Sequence, residues 1–195
     1  MSSSTTFGSN SRTIIASTVV LSVLAFSFLP TRLIVYENVY DLFMWSETTW
    51  FGVIGKTWGA AFAIIEAIHL LAMALLGGTV FVSDFRLLGW GFKDVPAQEV
   101  LDKTHAVFKW ALAVVVFTGI FMACGVAGKI YYMAVFWYKM LALATGILFV
   151  FFVKRPLLKK NFDDINPWVI KLVAISSMLI WVTVAAAGRW IGFTG

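Results

Sequence analysis

The sequence predicts an all-α integral membrane protein, built as one bundle of five transmembrane helices. Of its 195 residues, 61% are hydrophobic and only 13% are charged, and the mean hydropathy is +0.89. A soluble domain of this length needs far more polar surface, whereas lipid solvates apolar side chains directly. The apolar residues are grouped into stretches of about 20 residues, the length that a helix needs to cross a bilayer. These observations indicate a multi-pass membrane protein without a separate soluble domain.

Five apolar stretches account for the predicted spans. They cover residues 13–35, 58–83, 104–126, 131–153 and 168–190. The last four form the expected core bundle, and the first adds an N-terminal helix. Residues 1–12 are polar and predict a disordered cytoplasmic tail, so that residues 13–195 make up the bundle. Segment 38–56 mixes aromatic and charged side chains, which predicts a helix lying along the membrane surface.

The distribution of basic residues predicts how the bundle is oriented. The denser basic set lies in the loops after the second and fourth spans, with Arg86, Lys93, Lys103, Lys154, Arg155, Lys159 and Lys160. Because cytoplasmic loops of membrane proteins are enriched in lysine and arginine, we expect these loops and the N-terminus to be cytoplasmic. The C-terminus is then periplasmic, and the predicted location is the bacterial inner membrane. The same bias explains the net charge of +5 without any nucleic-acid partner.

Three ionisable side chains are predicted to share one layer inside the membrane. Such groups cost several kcal/mol unless they are paired, so each one suggests a functional site. From a helical rise of about 1.5 Å per residue, Glu66 and Lys139 lie about 12 Å below the outer surface and His69 about 16 Å. Glu66 and His69 are three residues apart and therefore share a helix face.

The second histidine is predicted to lie elsewhere. His105 opens the third span near the cytoplasmic surface, where Asp84 and Arg86 end the second span. A haem iron held by both histidines would need them at the same depth. The spacing therefore disfavours a bis-histidine haem between His69 and His105.

Each of these residues also has a purely structural interpretation. Glu66 and Lys139 can form a buried ion pair that fixes the helix register. His69 can be an interhelical hydrogen-bond partner, worth about 0.6 kcal/mol in membranes. Asp84 and Arg86 can cap and anchor the end of the second span, and His105 can be an interfacial residue. Two glycine pairs, Gly77 with Gly78 and Gly125 with Gly128, are expected to be points of close contact between helices.

Three segments carry a resemblance to a known family: IHLLAMALLGGTVFVSDFRLLGWG, FWYKMLALATGILFVF and AAAGRWIGF. Together they resemble a family of uncharacterised bacterial inner-membrane proteins. Its members have a histidine early in a glycine-rich helix that ends in D-[LF]-R-L-L-G, a helix that opens with aromatic-x-K-M-L, and a last helix that ends in G-R-x-I-G. The resemblance covers residues 50–193. More distantly, the chain is similar to the haem-binding membrane protoporphyrinogen oxidases and to the membrane domain of copper-resistance D proteins.

The distant resemblance implies a functional site at His69 and Lys139, and haem b as its cofactor. The oxidase segment L-P-R-L-F-V-Y is replaced here by VSDFRLLG, and the histidine-rich extensions are missing. The haem site is therefore carried over, but the oxidase reaction is not, and whether the protein is an enzyme stays open. The expected cofactor-binding residues are His69, as axial and metal ligand, with Glu66, Arg86, His105 and Lys139.

Soluble-enzyme motifs such as GxSxG, HExxH or a Walker loop are absent from the sequence. The observations leave three candidate functions. The first is a b-type haem-binding redox or electron-transfer component, whose partner is a quinone or another membrane redox subunit. The second is a non-enzymatic subunit or scaffold with a buried Glu-His-Lys cluster, and a homo-oligomer is open in either case. The third is proton or copper transport, which a single charged layer without a second polar cluster disfavours.

Overall fold

The computed structural model describes residues 31–159 and 165–193, with side chains from residue 36 onward. Within these residues every regular element is a helix, which confirms the all-α prediction. The elements are α1 (Thr31–Thr48), α2 (Trp50–Thr57), α3 (Gly59–Leu88), α4 (Ala97–Gly125), α5 (Ala127–Tyr131), α6 (Ala134–Leu148), a π-helix (Phe149–Lys154), α7 (Arg155–Leu158) and α8 (Pro167–Ile191).

Among the described residues, four helical segments are long and apolar enough to cross a membrane. They are α3, α4, the continuous segment Ala134–Leu158, and α8. The predicted tail 1–12 and most of the predicted first span lie outside the described residues. The N-terminal span, residues 13–35, therefore stays a prediction. The other four predicted spans correspond to the four helical segments.

The helices α3 and α4 form an antiparallel hairpin, α8 packs against α3, and α6 packs against α8. Gly89 ends α3 in the left-handed conformation, with φ of 74°. Glycine reaches this conformation without a steric penalty, and the Trp90 N–H then closes the turn by donating to the Phe85 carbonyl at 2.9 Å. This turn sends the chain back toward α4.

The segment 38–56 is helical and contributes to α1 and α2, which pack near the C-terminal end of α4 and against α5. The backbones of α2 and α4 approach closely at Gly55 and Gly125, where a Cβ atom added to Gly125 would lie 3.2 Å from Gly55 Cα. The predicted close contact at Gly125 is confirmed. The one at Gly77 and Gly78 is wrong within the described residues, because an added Cβ would have no neighbour within 4 Å.

An apolar core fills the middle of the bundle, and apolar side chains also cover its outside. The core includes Ala72, Leu76, Val80, Phe108, Ala111, Leu112, Val115, Val150, Trp181 and Val184. Large apolar side chains such as Leu71 and Trp110 are more than 70% exposed. Because water would not tolerate so much exposed apolar surface, this exterior agrees with a membrane protein.

Candidate functional site

His69 is buried between helices and has one ring nitrogen fixed by a threonine. Its side chain is only 7% exposed, and Nδ1 lies 2.7 Å from Thr118 Oγ1. The Thr118 hydroxyl donates its own proton to the Val114 carbonyl at 2.6 Å, so its oxygen accepts from His69. A neutral imidazole that donates through Nδ1 keeps a free lone pair on Nε2. This assigns the tautomer from the hydrogen-bond network.

Lys139 lies at the same level of the bundle, within electrostatic range of His69. Two glycines leave room for this pair. A Cβ atom added to Gly119 would lie 3.4 Å from His69 Cε1, and one added to Gly188 would lie 3.4 Å from Lys139 Nζ. The structure thus brings together the histidine and the lysine that the sequence places at similar depth. We call His69, Thr118 and Lys139 the histidine cluster.

Glu66 does not join this cluster. Its side chain is exposed on the outer face of α3, and among the described residues it forms no ion pair with Lys139. The buried stripe of α3 runs through His69, Ala72, Leu76 and Val80. Extended backward by one turn, this stripe passes through Ile65, and Glu66 lies about 100° further round the helix. The expected Glu66–Lys139 ion pair is therefore wrong for the described structure.

A second polar cluster lies toward the other end of the bundle, near the turn between α3 and α4. Lys154 Nζ donates to Asp84 Oδ1 at 2.5 Å, to Ser83 Oγ at 2.9 Å and to Ser177 Oγ at 3.3 Å. Asp84 and Ser177 have no exposed surface, and Lys154 is 7% exposed. All three ammonium protons are used, so the lysine is fully satisfied. We call these four residues the aspartate cluster.

The π-helix accounts for the inward position of Lys154. The sequence treats Lys154 and Arg155 as loop residues after the fourth span, but the helical segment continues to Leu158. A π-turn holds more residues than an α-turn and shifts the face on which the following side chains lie. Lys154 lies inside the bundle, whereas Arg155 pairs with Asp102 at 2.7 Å on the surface. The prediction for Lys154 is wrong for this reason.

A small cavity adjoins the aspartate cluster. Its volume is about 40 Å³, enough for about two or three water molecules. The polar side chains that line it are Thr79, Ser83, Thr104, His105, Lys154 and Arg155. The site therefore combines a buried ion pair with an adjacent polar space.

His105 belongs to this cavity and not to the histidine cluster. Its ring contacts those of Phe108 and Phe151, with centroid separations of 6.3 and 5.8 Å. Along α4 it lies 13 residues from Thr118, the partner of His69, which corresponds to about 20 Å. The two histidines are thus at different levels, as the spacing in the sequence indicates.

Arg86 is also remote from His69. It lies 17 residues further along α3, about 25 Å away. Its Nε donates to the Val95 carbonyl at 3.0 Å and so holds the turn between α3 and α4. Asp84 and Arg86, which the sequence groups as one helix end, therefore have separate roles.

The sequence reasoning missed Thr118, Ser177 and the Asp84–Lys154 pair. One signal was available for Asp84, because it continues the buried stripe that starts at His69 and runs through Leu76 and Val80. An ionisable residue on such a stripe needs a buried partner. Nothing comparable in the sequence identifies Lys154 as that partner, since its orientation depends on the π-helix.

No curated protein and no solved structure matches the chain. A family model matches residues 42–194, which extend from α1 through α8 and include both polar clusters. The match covers more than half of the chain, and the protein therefore belongs to the family of unknown function DUF6644.

Proposed function

We propose that the protein is a b-type haem-binding component of a membrane electron-transfer system, in which His69 would hold the haem iron through Nε2. The observation that carries this proposal is the hydrogen bond between His69 Nδ1 and Thr118 Oγ1. Histidines that bind a metal nearly always donate their other ring N–H to a fixed acceptor, which sets the tautomer and the ring orientation. Thr118 supplies such an acceptor within the membrane.

The available donors fit haem better than a bare metal ion. In the part of the chain that the structure describes, no group of three or more His, Cys, Asp or Glu side chains could hold a metal. A protein-only zinc or copper site needs such a group. Haem brings four nitrogen ligands of its own and needs only one or two from the protein, which a single buried imidazole supplies.

Two cations near this level could hold the haem propionates. Lys139 is within electrostatic range of His69, and Arg189 follows Gly188, the glycine next to Lys139, with its guanidinium 4.5 Å from the Phe193 ring centroid. Arginine and lysine form charge-assisted hydrogen bonds with carboxylates. Arg86 and His105 are about 20 Å or more away and have no part in this proposed site. Bound haem would supply one-electron redox chemistry, while His69 holds it and the apolar helices keep water out.

The test is an absorption spectrum of the purified protein in its oxidised and reduced forms, produced with haem supplied during growth. We expect a Soret band in the wild type with about one haem per chain, and none in His69→Ala. His105→Ala is the matched control, because it removes an imidazole from the same bundle at another level. A wild type without a Soret band, or an equal band in His69→Ala, rejects the proposal.

Proton transport is a second candidate, because the aspartate cluster supplies the second polar layer that the sequence did not reveal. The apolar core between the two clusters, with Leu76, Phe108, Leu112 and Val115, counts against a continuous path. Proton flux into liposomes that is abolished by both His69→Ala and Asp84→Asn would favour transport over haem binding. A scaffold instead predicts neither flux nor a chromophore, but a loss of stability in both variants.

A further inference from the structure

We propose that the Asp84–Lys154 pair is a proton-binding site that exchanges protons with water on one side of the membrane through the adjacent cavity. This inference does not rest on haem binding. It is based on the position of the pair beside the cavity, and on one carboxylate oxygen that the ion pair leaves without a partner. The ligand is the proton itself, carried by water.

The carboxylate is only half satisfied. Asp84 Oδ1 accepts from Lys154 at 2.5 Å, and the Ser177 hydroxyl lies close to the carboxylate. Oδ2 is buried and makes no well-formed hydrogen bond among the described residues. A buried acceptor without a donor costs about 1–3 kcal/mol, and more when it is charged. Neutralising the carboxylate with a proton relieves this cost. The lysine can stay charged, because Ser83 and Ser177 continue to accept from it.

Asp84 is one side chain away from the cavity. Lys154 and Ser83 both line the cavity and both belong to the aspartate cluster. Waters in that space need polar partners, and the hydroxyls of Thr79 and Thr104 and the His105 ring are available in the same lining. Lys154 is therefore the link between cavity water and Asp84.

Proton uptake follows the existing hydrogen bond. Lys154 passes one ammonium proton to Asp84 Oδ1, so that an N–H bond breaks and an O–H bond forms. A hydronium ion or the His105 imidazolium, acting through cavity water, returns a proton to Nζ and becomes neutral. The product is a carboxylic acid beside an ammonium, with one proton gained from solution and no change in oxidation state.

The charged groups around His105 and the cavity lie on one side of the bundle. Helix α4 contributes His105, Asp102 and Lys109, and Arg155 follows the π-helix and is paired with Asp102. Helix α8 contributes the neutral Ser177 and Trp181. On the other side, the core residues Leu76, Val80 and Val115 separate the pair from the histidine cluster. Exchange is therefore confined to the side on which His105 lies.

The test is infrared spectroscopy of the full-length protein in lipid bilayers as a function of pH. A protonated carboxyl group gives a C=O stretching band that a carboxylate lacks. We expect a band that grows as the pH falls, is lost in Asp84→Asn, and shifts to lower frequency in D₂O. Asp102→Asn is the matched control and should keep it, and Glu66→Gln identifies any band from the exposed Glu66.

Two results would overturn the proposal. One is the absence of an Asp84-dependent band at every pH at which the protein stays folded, which would mean a permanently ionised structural pair. The other is a band that does not shift in D₂O, which would mean a site sealed from water. Should Asp84→Asn fail to fold, Asp84→Glu is used instead, and it should move the band rather than remove it. His105→Ala should slow the D₂O shift several-fold without removing the band.

Discussion

The two polar clusters place ionisable groups in the same apolar bundle in different ways. In the aspartate cluster the lysine has a carboxylate and two hydroxyls as acceptors, and all of its donors are used. In the histidine cluster a neutral hydrogen bond holds one ring nitrogen, and Lys139 has no counter-ion among the described residues. The satisfied lysine of the aspartate cluster contributes mainly to folding, whereas the histidine cluster has polar atoms free for a ligand. We therefore expect their mutations to have different consequences.

The largest loss of stability is expected when the lysine of the buried ion pair is removed. Lys154→Ala leaves the Asp84 carboxylate uncompensated inside the bundle, which destabilises a protein by about 3–5 kcal/mol. The measurement is unfolding of the purified protein in detergent. The control is the double variant Asp84→Leu with Lys154→Met, which should be far less harmful because no charge is left unpaired. Equal losses in the single and double variants would contradict this expectation.

Ser177→Ala should cause the next largest loss of stability. It removes one of the three acceptors of Lys154 and leaves a buried N–H without a partner, which costs about 1–3 kcal/mol. Thr183→Ala is a matched control on the same helix, because Thr183 is exposed and its hydroxyl donates only to the Leu179 carbonyl. If both variants unfold at the same temperature, Ser177 does not contribute to holding the lysine.

His69→Ala is expected to change stability less than either aspartate-cluster variant. Side-chain hydrogen bonds between membrane helices average about 0.6 kcal/mol. Thr118→Val removes the same bond from the other partner, so a double-mutant cycle in the protein without haem should be non-additive. Additive effects would show that the two side chains stabilise the bundle independently. A loss larger than that of Ser177→Ala would invert the comparison between the clusters.

The smallest loss of stability is expected for the ion pair between Glu47 and Lys56, which lies outside the spans. The Lys56 ammonium, and next the Gly128 N–H, hold the pKa of Glu47 below its ordinary value. A carboxylate with a lowered pKa in the folded state stabilises the protein above its ordinary pKa of about 4.3, and this contribution is lost as the pH falls through the folded-state pKa. Glu47→Gln should therefore lower the free energy of unfolding at pH 7 by less than ~1 kcal/mol, because the pair is solvated.

Repeating the same measurement at acid pH tests whether Glu47 stabilises the protein through its ionised carboxylate. Wild type and Glu47→Gln should converge in stability as the pH falls below the pKa of Glu47. Glu99→Gln, which removes the exposed pair with Lys103, provides a reference for an ordinary surface ion pair. A difference between wild type and Glu47→Gln that grows in acid would show that Glu47 acts in another way.

Part of the candidate site could be predicted from the sequence. A constant rise per residue places His69 and Lys139 at similar depth, and it separates His69 from His105. The same reasoning fails for Glu66, because depth says nothing about which way a side chain faces around the helix. It also fails for Thr118, since a hydroxyl in an apolar span can bond to its own helix and needs no partner.

The sequence by itself determined that this protein is a bundle of apolar helices. It also placed His69 and Lys139 at similar levels and His105 at a different one. These properties depend on local composition and on a fixed helical rise. The tertiary structure alone decided that Lys154 turns inward to Asp84 and that Glu66 faces outward. It also decided that a polar cavity opens beside His105. Those outcomes depend on the rotation of each helix and on one π-turn, and both are set by packing between segments that lie far apart in the chain.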